Sequence, residues 1–146
     1  GDTLLDESLK FRKFVRLSEM LLEKRRLTAA VRELDRADHS GKTHSPWAQN
    51  QMGLLYLKNG EPERALECFN RVITLFPDDA NGYFNRAALQ QKRGNAALAK
   101  KDAQQALAVN PFHLPARELL AGLLEAGGDA RGTGEQKRIL KKLAAP

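Results

Sequence analysis

The stretches PWAQNQMGLLYLKNGEPERALECFNRVITLFPDD (46–79) and ANGYFNRAALQQKRGNAALAKKDAQQALAVNPFH (80–113) align without a gap. Gly60, Gly94 and Gly128 stand 34 residues apart, as do Pro77 and Pro111. Gly53, Ala87 and Ala121 keep the same step, and so do Ala65, Ala99 and Thr133. A fixed period of this length marks a stack of supersecondary units, each burying its apolar face on its neighbours. A third copy begins at Leu114 and decays after Gly128. The stretch FRKFVRLSEMLLEKRRLTAAVRELDRADHSGKTH (11–44) enters the same frame one residue longer, with the extra residue in the loop HSGKTHSP. There Phe14, Leu17, Ser18 and Leu21 stand where Gln49, Met52, Gly53 and Tyr56 stand in the next copy, and Ala30, Leu34 and Ala37 where Ala65, Phe69 and Val72 do.

Each copy reads as two amphipathic helices. Met52, Leu55 and Tyr56, then Leu66, Phe69 and Ile73, recur at three- and four-residue steps, the helical period. Gly60 falls between the two helices, where a left-handed C-cap costs glycine little. Pro62 follows at the first turn of the second helix, where a missing N–H is harmless. That helix ends at Phe76-Pro77, because the residue before a proline avoids the helical region. Asp78 or Asp79 then caps the next helix. Small residues at Gly53, Ala65, Ala87 and Ala99 let the helices of a pair approach closely, and a large side chain there would overpack the contact.

This pattern resembles the tetratricopeptide repeat family, whose motif reads W-x2-L-G-x2-Y, A-x3-F, A, P. Copy 46–79 gives Gln49-x2-Met52-Gly53-x2-Tyr56, Ala65-x3-Phe69, Val72 and Pro77, and copy 80–113 gives Tyr83-x2-Arg86-Ala87-x2-Gln90, Ala99-x3-Ala103, Ala106 and Pro111. The motif tryptophan is lost, Arg86 and Gln90 take usually apolar places, and Trp47 stands two residues too early to be the packing residue. The resemblance covers roughly residues 11–143. It implies an all-α, right-handed superhelical solenoid of antiparallel helix pairs. It implies one domain over 1–146 with repeats near 11–45, 46–79, 80–113 and a degenerate 114–143, ending in a C-terminal capping helix. In EQKRILKKLAAP, Ile139, Leu140 and Leu143 form the apolar stripe of that cap, with Lys137, Arg138, Lys141 and Lys142 outward. Thr133-x-x-Gln136 reads as a capping box, and Gly132 and Gly134 predict a loop over 127–133 before a late helix start. Leu4, Leu5 and Leu9 predict that the first helix begins before Phe11, or that a short extra helix covers that edge.

Family members bind proteins, with the first helix of each pair lining a concave groove. If this chain is similar, the groove residues follow from helical phase. They are Arg12, Arg16 and Glu19 in the first copy; Trp47, Asn50, Gln51, Leu54 and Lys58 in the second; and Asn81, Phe84, Asn85, Ala88, Gln91 and Lys92 in the third, with Glu118, Leu119 and Gly122 in the fourth. Asparagine and glutamine both donate and accept, which suits the unpaired backbone of an extended peptide. Trp47, Leu54 and Phe84 offer an apolar floor, and Arg12, Arg16, Lys58 and Lys92 bias the groove toward acidic segments or a C-terminal carboxylate. Chaperone-binding members use a clamp of lysines, asparagines and an arginine. Asn50 and Asn85 fall near its asparagine places, but the basic set does not gather on one surface.

No catalytic constellation emerges. His39 and His44 lie in a polar loop near Asp35 and Asp38, which reads as solvated rather than metal-binding. His113 reads as a turn residue. Cys68, inside a helix beside Phe69, reads as a buried inert thiol. Glu61, Glu63 and Glu67 sit at a helix start, where the dipole favours them. No phosphate-cradling glycine loop is present. We therefore expect a non-enzymatic adaptor or scaffold with no cofactor and no metal, whose partner is a protein or peptide.

Composition sets the outer limits. The chain has 146 residues, 42% hydrophobic and 29% charged, which suits one soluble domain. A single cysteine excludes an internal disulfide framework. No apolar run approaches the roughly 20 residues of a membrane span. No secretory leader is visible, so the expected compartment is the cytoplasm, or the periplasm or envelope if an upstream signal was removed. The opening Gly1 suggests a fragment of a longer chain, and the Arg, Ala and Leu content a bacterial source. The net charge of +6 leaves nucleic acid as a rival partner, through Lys10 to Lys13, Lys24 to Arg26, Lys100-Lys101 and the C-terminal basic group. These residues are scattered and interrupted by Glu19, Glu23, Glu61 and Glu63, whereas phosphate binding wants a continuous track. Self-association through a terminal repeat edge is a third possibility.

Overall fold

A computed structural model describes the backbone of residues 2–39 and 45–146. Side chains of the first helix are described from Lys13 onward, except positions 14, 18, 34, 35 and 37–39. The expectations for His44 and for the side chains of Leu4, Leu5, Leu9, Arg12 and His39 lie outside the described residues, while the backbone of His39, read as part of a loop, is the last turn of the first helix. The described residues form helices only: α1 (Asp2–His39), α2 (Pro46–Lys58), α3 (Pro62–Leu75), α4 (Ala80–Lys92), α5 (Ala96–Val109), α6 (Leu114–Ala126) and α7 (Ala130–Ala144).

Helices α2 to α7 make three pairs, α2–α3, α4–α5 and α6–α7, stacked through α3–α4 and α5–α6. The first helices also touch in a row, α2 to α4 and α4 to α6. This is the all-α solenoid that the period implies. The turn within each pair is the same hydrogen-bonded motif three times. Gly60, Gly94 and Gly128 adopt φ of 75°, 79° and 80°, a region costly for any residue with a Cβ. Glu61 N–H donates to the Tyr56 carbonyl (2.8 Å) and Gly60 N–H to that of Leu57 (3.1 Å), and the pattern repeats at Asn95→Gln90 and Asp129→Leu124. Between pairs, the residue 34 positions on supplies the next N-cap: Ser45 Oγ accepts from Ala48 N–H, Asp79 Oδ1 from Gly82 N–H and His113 Nδ1 from Ala116 N–H.

Two expectations are corrected. Residues 11–44 do not form a helix pair, because α1 runs unbroken from Asp2 to His39. In the repeat frame Arg25 takes the place of Gly60 and Leu27 that of Pro62, and the surrounding EKRRLTAA is made largely of good helix formers. Nothing there favours a left-handed residue, so the helix continues. The second correction concerns 127–133, which is not a long loop. Helix α7 starts at Ala130, capped by Asp129, whose Oδ1 accepts from Gly132 N–H at 2.8 Å. Thr133 lies inside the helix, and its hydroxyl donates to the Asp129 carbonyl at 2.7 Å. The cap on Gly132 outweighs the low helix propensity of Gly132 and Gly134, and α7 becomes the regular second helix of a fourth repeat.

The core runs along the pair contacts. Val31, Met52, Tyr56, Ala65, Cys68, Phe69 and Leu89 form one apolar cluster. Ala87, Ala103, Leu120 and Leu124 form a second, and Ala80, Ala106 and Ala116 a third. Phe69 fills the notch left by Gly53, where a Cβ would stand 2.3 Å from its ring. Arg86 is held in the next pair by Asp102, Nε to Oδ2 at 2.7 Å and Nη2 to Oδ1 at 2.8 Å, with Nη1 donating to Asn70 at 3.0 Å. That network explains how an arginine occupies a usually apolar place. Its guanidinium pKa is raised, chiefly by the hydrogen bond to Asp102 against the opposing cost of burial. Gln49, at the place of the motif tryptophan, is buried and accepts from Arg71 Nη1 at 3.0 Å, while Trp47 is 72% exposed.

Candidate functional site

The row of first helices carries a cavity of about 340 Å³. Of the groove residues read from helical phase, Trp47, Asn50, Gln51, Leu54, Asn81, Phe84 and Asn85 all line it. Asn85 Nδ2 donates to Asn50 Oδ1 at 3.0 Å across α2 and α4. Asn50 is buried, so its amide is oriented by packing. Trp47, Leu54 and Phe84 supply apolar surface around these amides.

Four further lining residues, Pro46, Asp79, His113 and Pro115, were not anticipated. His113 is the most consequential. Its Nδ1 accepts from Ala116 N–H, so Nε2 carries the proton and donates to Asn81 Oδ1 at 2.8 Å. Its ring lies against Phe84 with centroids 5.2 Å apart. Burial is the main cause that pushes the imidazole pKa below 6.5, and the Asp79 carboxylate is among the opposing influences. His113 is therefore a neutral polar wall of the cavity as well as a cap. The signal was present in the sequence: Ser45, Asp79 and His113 keep the 34-residue step.

The remaining expected groove residues stand elsewhere. Lys58 lines a separate cavity of about 550 Å³ with Asn59, Gly60 and the α1 residues Met20, Glu23, Lys24 and Leu27. Gln91 and Lys92 are exposed at the C-terminal end of α4, Arg16 and Glu19 on α1, and Glu118 and Gly122 on α6, with Ala88 and Leu119 half-buried. Lys58 and Lys92 are one repeat apart, so they mark the same end of adjacent helices. Eight residues separate Lys58 from Asn50 and Lys92 from Phe84, about 12 Å along each helix. The cationic side chains form an edge beyond the cavity, not its floor.

Cys68 is buried. Among the described residues no group of three His, Cys, Asp or Glu side chains could hold a metal ion, and no helix is long and apolar enough to cross a membrane.

Known proteins resemble the chain in the same terms. The human tetratricopeptide repeat protein 7B is 30% identical over 74 residues, 51% of this chain, which spans only 9% of that relative's length. Among solved structures, MamA superposes with a TM-score of 0.72 at 17% identity, covering 81% of this chain and 68% of its own. The first tetratricopeptide domain of Spaghetti (RPAP3), solved bound to the HSP90 peptide SRMEEVD, gives 0.65 at 19% identity over 70% of this chain and 81% of that one. The tetratricopeptide repeat profile itself matches residues 53–125, half of the chain. With its three in-register glycine turns and its helix pairs, the chain belongs to the tetratricopeptide repeat family.

Proposed function

We propose that the chain is a non-enzymatic interaction module that holds an extended segment of a partner protein on the α2–α4–α6 face. The observation that carries this reading is the packing-fixed Asn50–Asn85 pair inside a cavity walled by Trp47, Leu54 and Phe84. Asparagine amides satisfy both the N–H and C=O of a peptide backbone, and the apolar wall takes one side chain. The edge marked by Lys58 and Lys92 favours acidic residues. At about 3.3 Å per extended residue, these lie three to four positions from the apolar anchor. Asp79 lines the cavity itself and disfavours acid there. Solved relatives lend the mode a precedent, since a structural neighbour is bound to SRMEEVD, an apolar residue followed by acidic ones.

Trp47 is the only tryptophan, and at 72% exposure its emission reports cavity occupancy. The test titrates synthetic heptapeptides carrying a central leucine or methionine with acidic, basic or neutral flanks, SRMEEVD included. Several hydrogen bonds of about 1 kcal/mol each and one apolar anchor give micromolar affinity for the acid-flanked members. Asn50→Ala with Asn85→Ala abolishes that binding and leaves the helical signal intact. A chain that ignores the peptides but binds an oligonucleotide steeply with falling salt, unaffected by the two substitutions, refutes the reading.

A further inference from the structure

The first repeat is missing half of itself. In the second and fourth repeats the frame position of Leu17 is buried, with Met52 1% exposed and Leu120 4%, and in the third it holds the ion-paired Arg86, yet Leu17 is 55% exposed. Leu21 is 54% exposed, whereas Tyr56 at the same place is 4% exposed. Ala30 is exposed as well, although Ala65, Ala99 and Thr133, its equivalents, are all buried. Val15, Met20 and Leu22 add to the open apolar surface. The second half of α1 does the work of a second helix, because its Val31 joins the core of α2 and α3. Among the described residues α1 packs only against α2, so no first helix lies beside that half, and the segment whose sequence fits that place, 11–24, continues along the straight helix.

We propose that a second copy of this chain fills that place: two α1 helices pair antiparallel, and residues 11–24 of each complete the first repeat of the other. The repeat frame supplies the register. In the frame Ser18 and Ala30 take the places of the small residues Gly53 and Ala65; set against each other, they bring Leu17 opposite Val31 and Leu21 opposite Leu27 of the other chain. The chain's own segment does not serve, because α1 runs straight through Arg25: folding back needs a left-handed residue there and breaks a run of good helix formers. Exchange of an identical element between two copies gives a closed two-fold interface made twice over. The inference is independent of the peptide site on α2, α4 and α6.

Sedimentation equilibrium of the full chain reads the outcome. The wild type is expected to be a dimer at micromolar concentration. Leu17→Asp with Leu21→Asp raises the dimer dissociation constant at least about a hundredfold, while the thermal unfolding of the later repeats persists. Arg25→Gly with Leu27→Pro installs the turn of the other repeats and yields a monomer. Ser18→Cys with Ala30→Cys, oxidised, gives a covalent dimer on a non-reducing gel. A monomeric wild type, an acidic variant that still dimerises like the wild type, or a disulfide closed within one chain would each overturn the proposal.

Discussion

In the repeat α2–α3, Met52 and Cys68 sit in one apolar cluster. Thirty-four residues on, the same two places hold Arg86 and Asp102, joined by a bidentate ion pair. Gly53 and Phe69, a notch and the ring that fills it, become Ala87 and Ala103. The two repeats keep the same turn, the same cap position and the same helix lengths to within a residue. The backbone frame therefore tolerates a complete change in the force across it, provided both partners change together. A lone arginine among apolar neighbours would be costly, and a lone phenylalanine without its glycine would not fit.

The largest expected effect separates the two contacts by size. Phe69→Ala empties a site whose ring is fully buried, and it costs about 3–5 kcal/mol in a urea unfolding experiment. At the matching place Ala103→Gly costs about 1 kcal/mol, mostly through helix propensity. Equal losses would mean that the glycine notch does not hold α2–α3. Next is the ion pair. Asp102→Ala strands Arg86, but the Arg86 side chain is 27% exposed, so water screens part of the loss and about 1–3 kcal/mol is expected. Importing the neighbouring chemistry, Arg86→Met with Asp102→Cys, returns stability to within about 1 kcal/mol of the wild type. A double variant worse than Asp102→Ala would break the equivalence of the two repeats.

The smallest effect compares the caps. Asp79 and His113 cap successive first helices, and burial is the main cause that lowers the pKa of His113. The folded state therefore favours the neutral ring. The stability this contributes is fully present above pH 6.5 and is lost as pH falls through 6.5 toward the lower folded value. His113→Asn keeps a capping oxygen without the titration, so the melting temperature below pH 6.5 depends less on pH than in the wild type. Identical slopes in the two proteins would remove the burial argument.

Much of the site was legible because its positions repeat. Helical phase within the 34-residue frame brings seven of the named groove residues, Trp47 to Asn85, into one cavity. It failed for Lys58, Gln91 and Lys92, which share the phase but lie too far along the axis. Phase identifies a face of a helix and carries no information about depth along it. His113 escaped notice because a histidine after Asn-Pro-Phe reads as a turn. Only the crossing of α4 and α6 places its ring on Phe84 and its Nε2 on Asn81.

The sequence by itself determined the all-α repeat, the three glycine turns and the proline and aspartate boundaries. Each depends on interactions spanning fewer than about six residues, which local composition records. The tertiary structure alone decided which polar groups meet across a repeat, such as Asn50 with Asn85 and Arg86 with Asp102. These contacts join residues 35 and 16 positions apart, beyond the reach of local composition. The Asp129 cap that draws Gly132 into α7 and the straight run of α1 through Arg25 are local outcomes, decided where two local signals compete. In α1 the good helix formers of the turn region outweighed an apolar pattern that, read alone, asks for two helices.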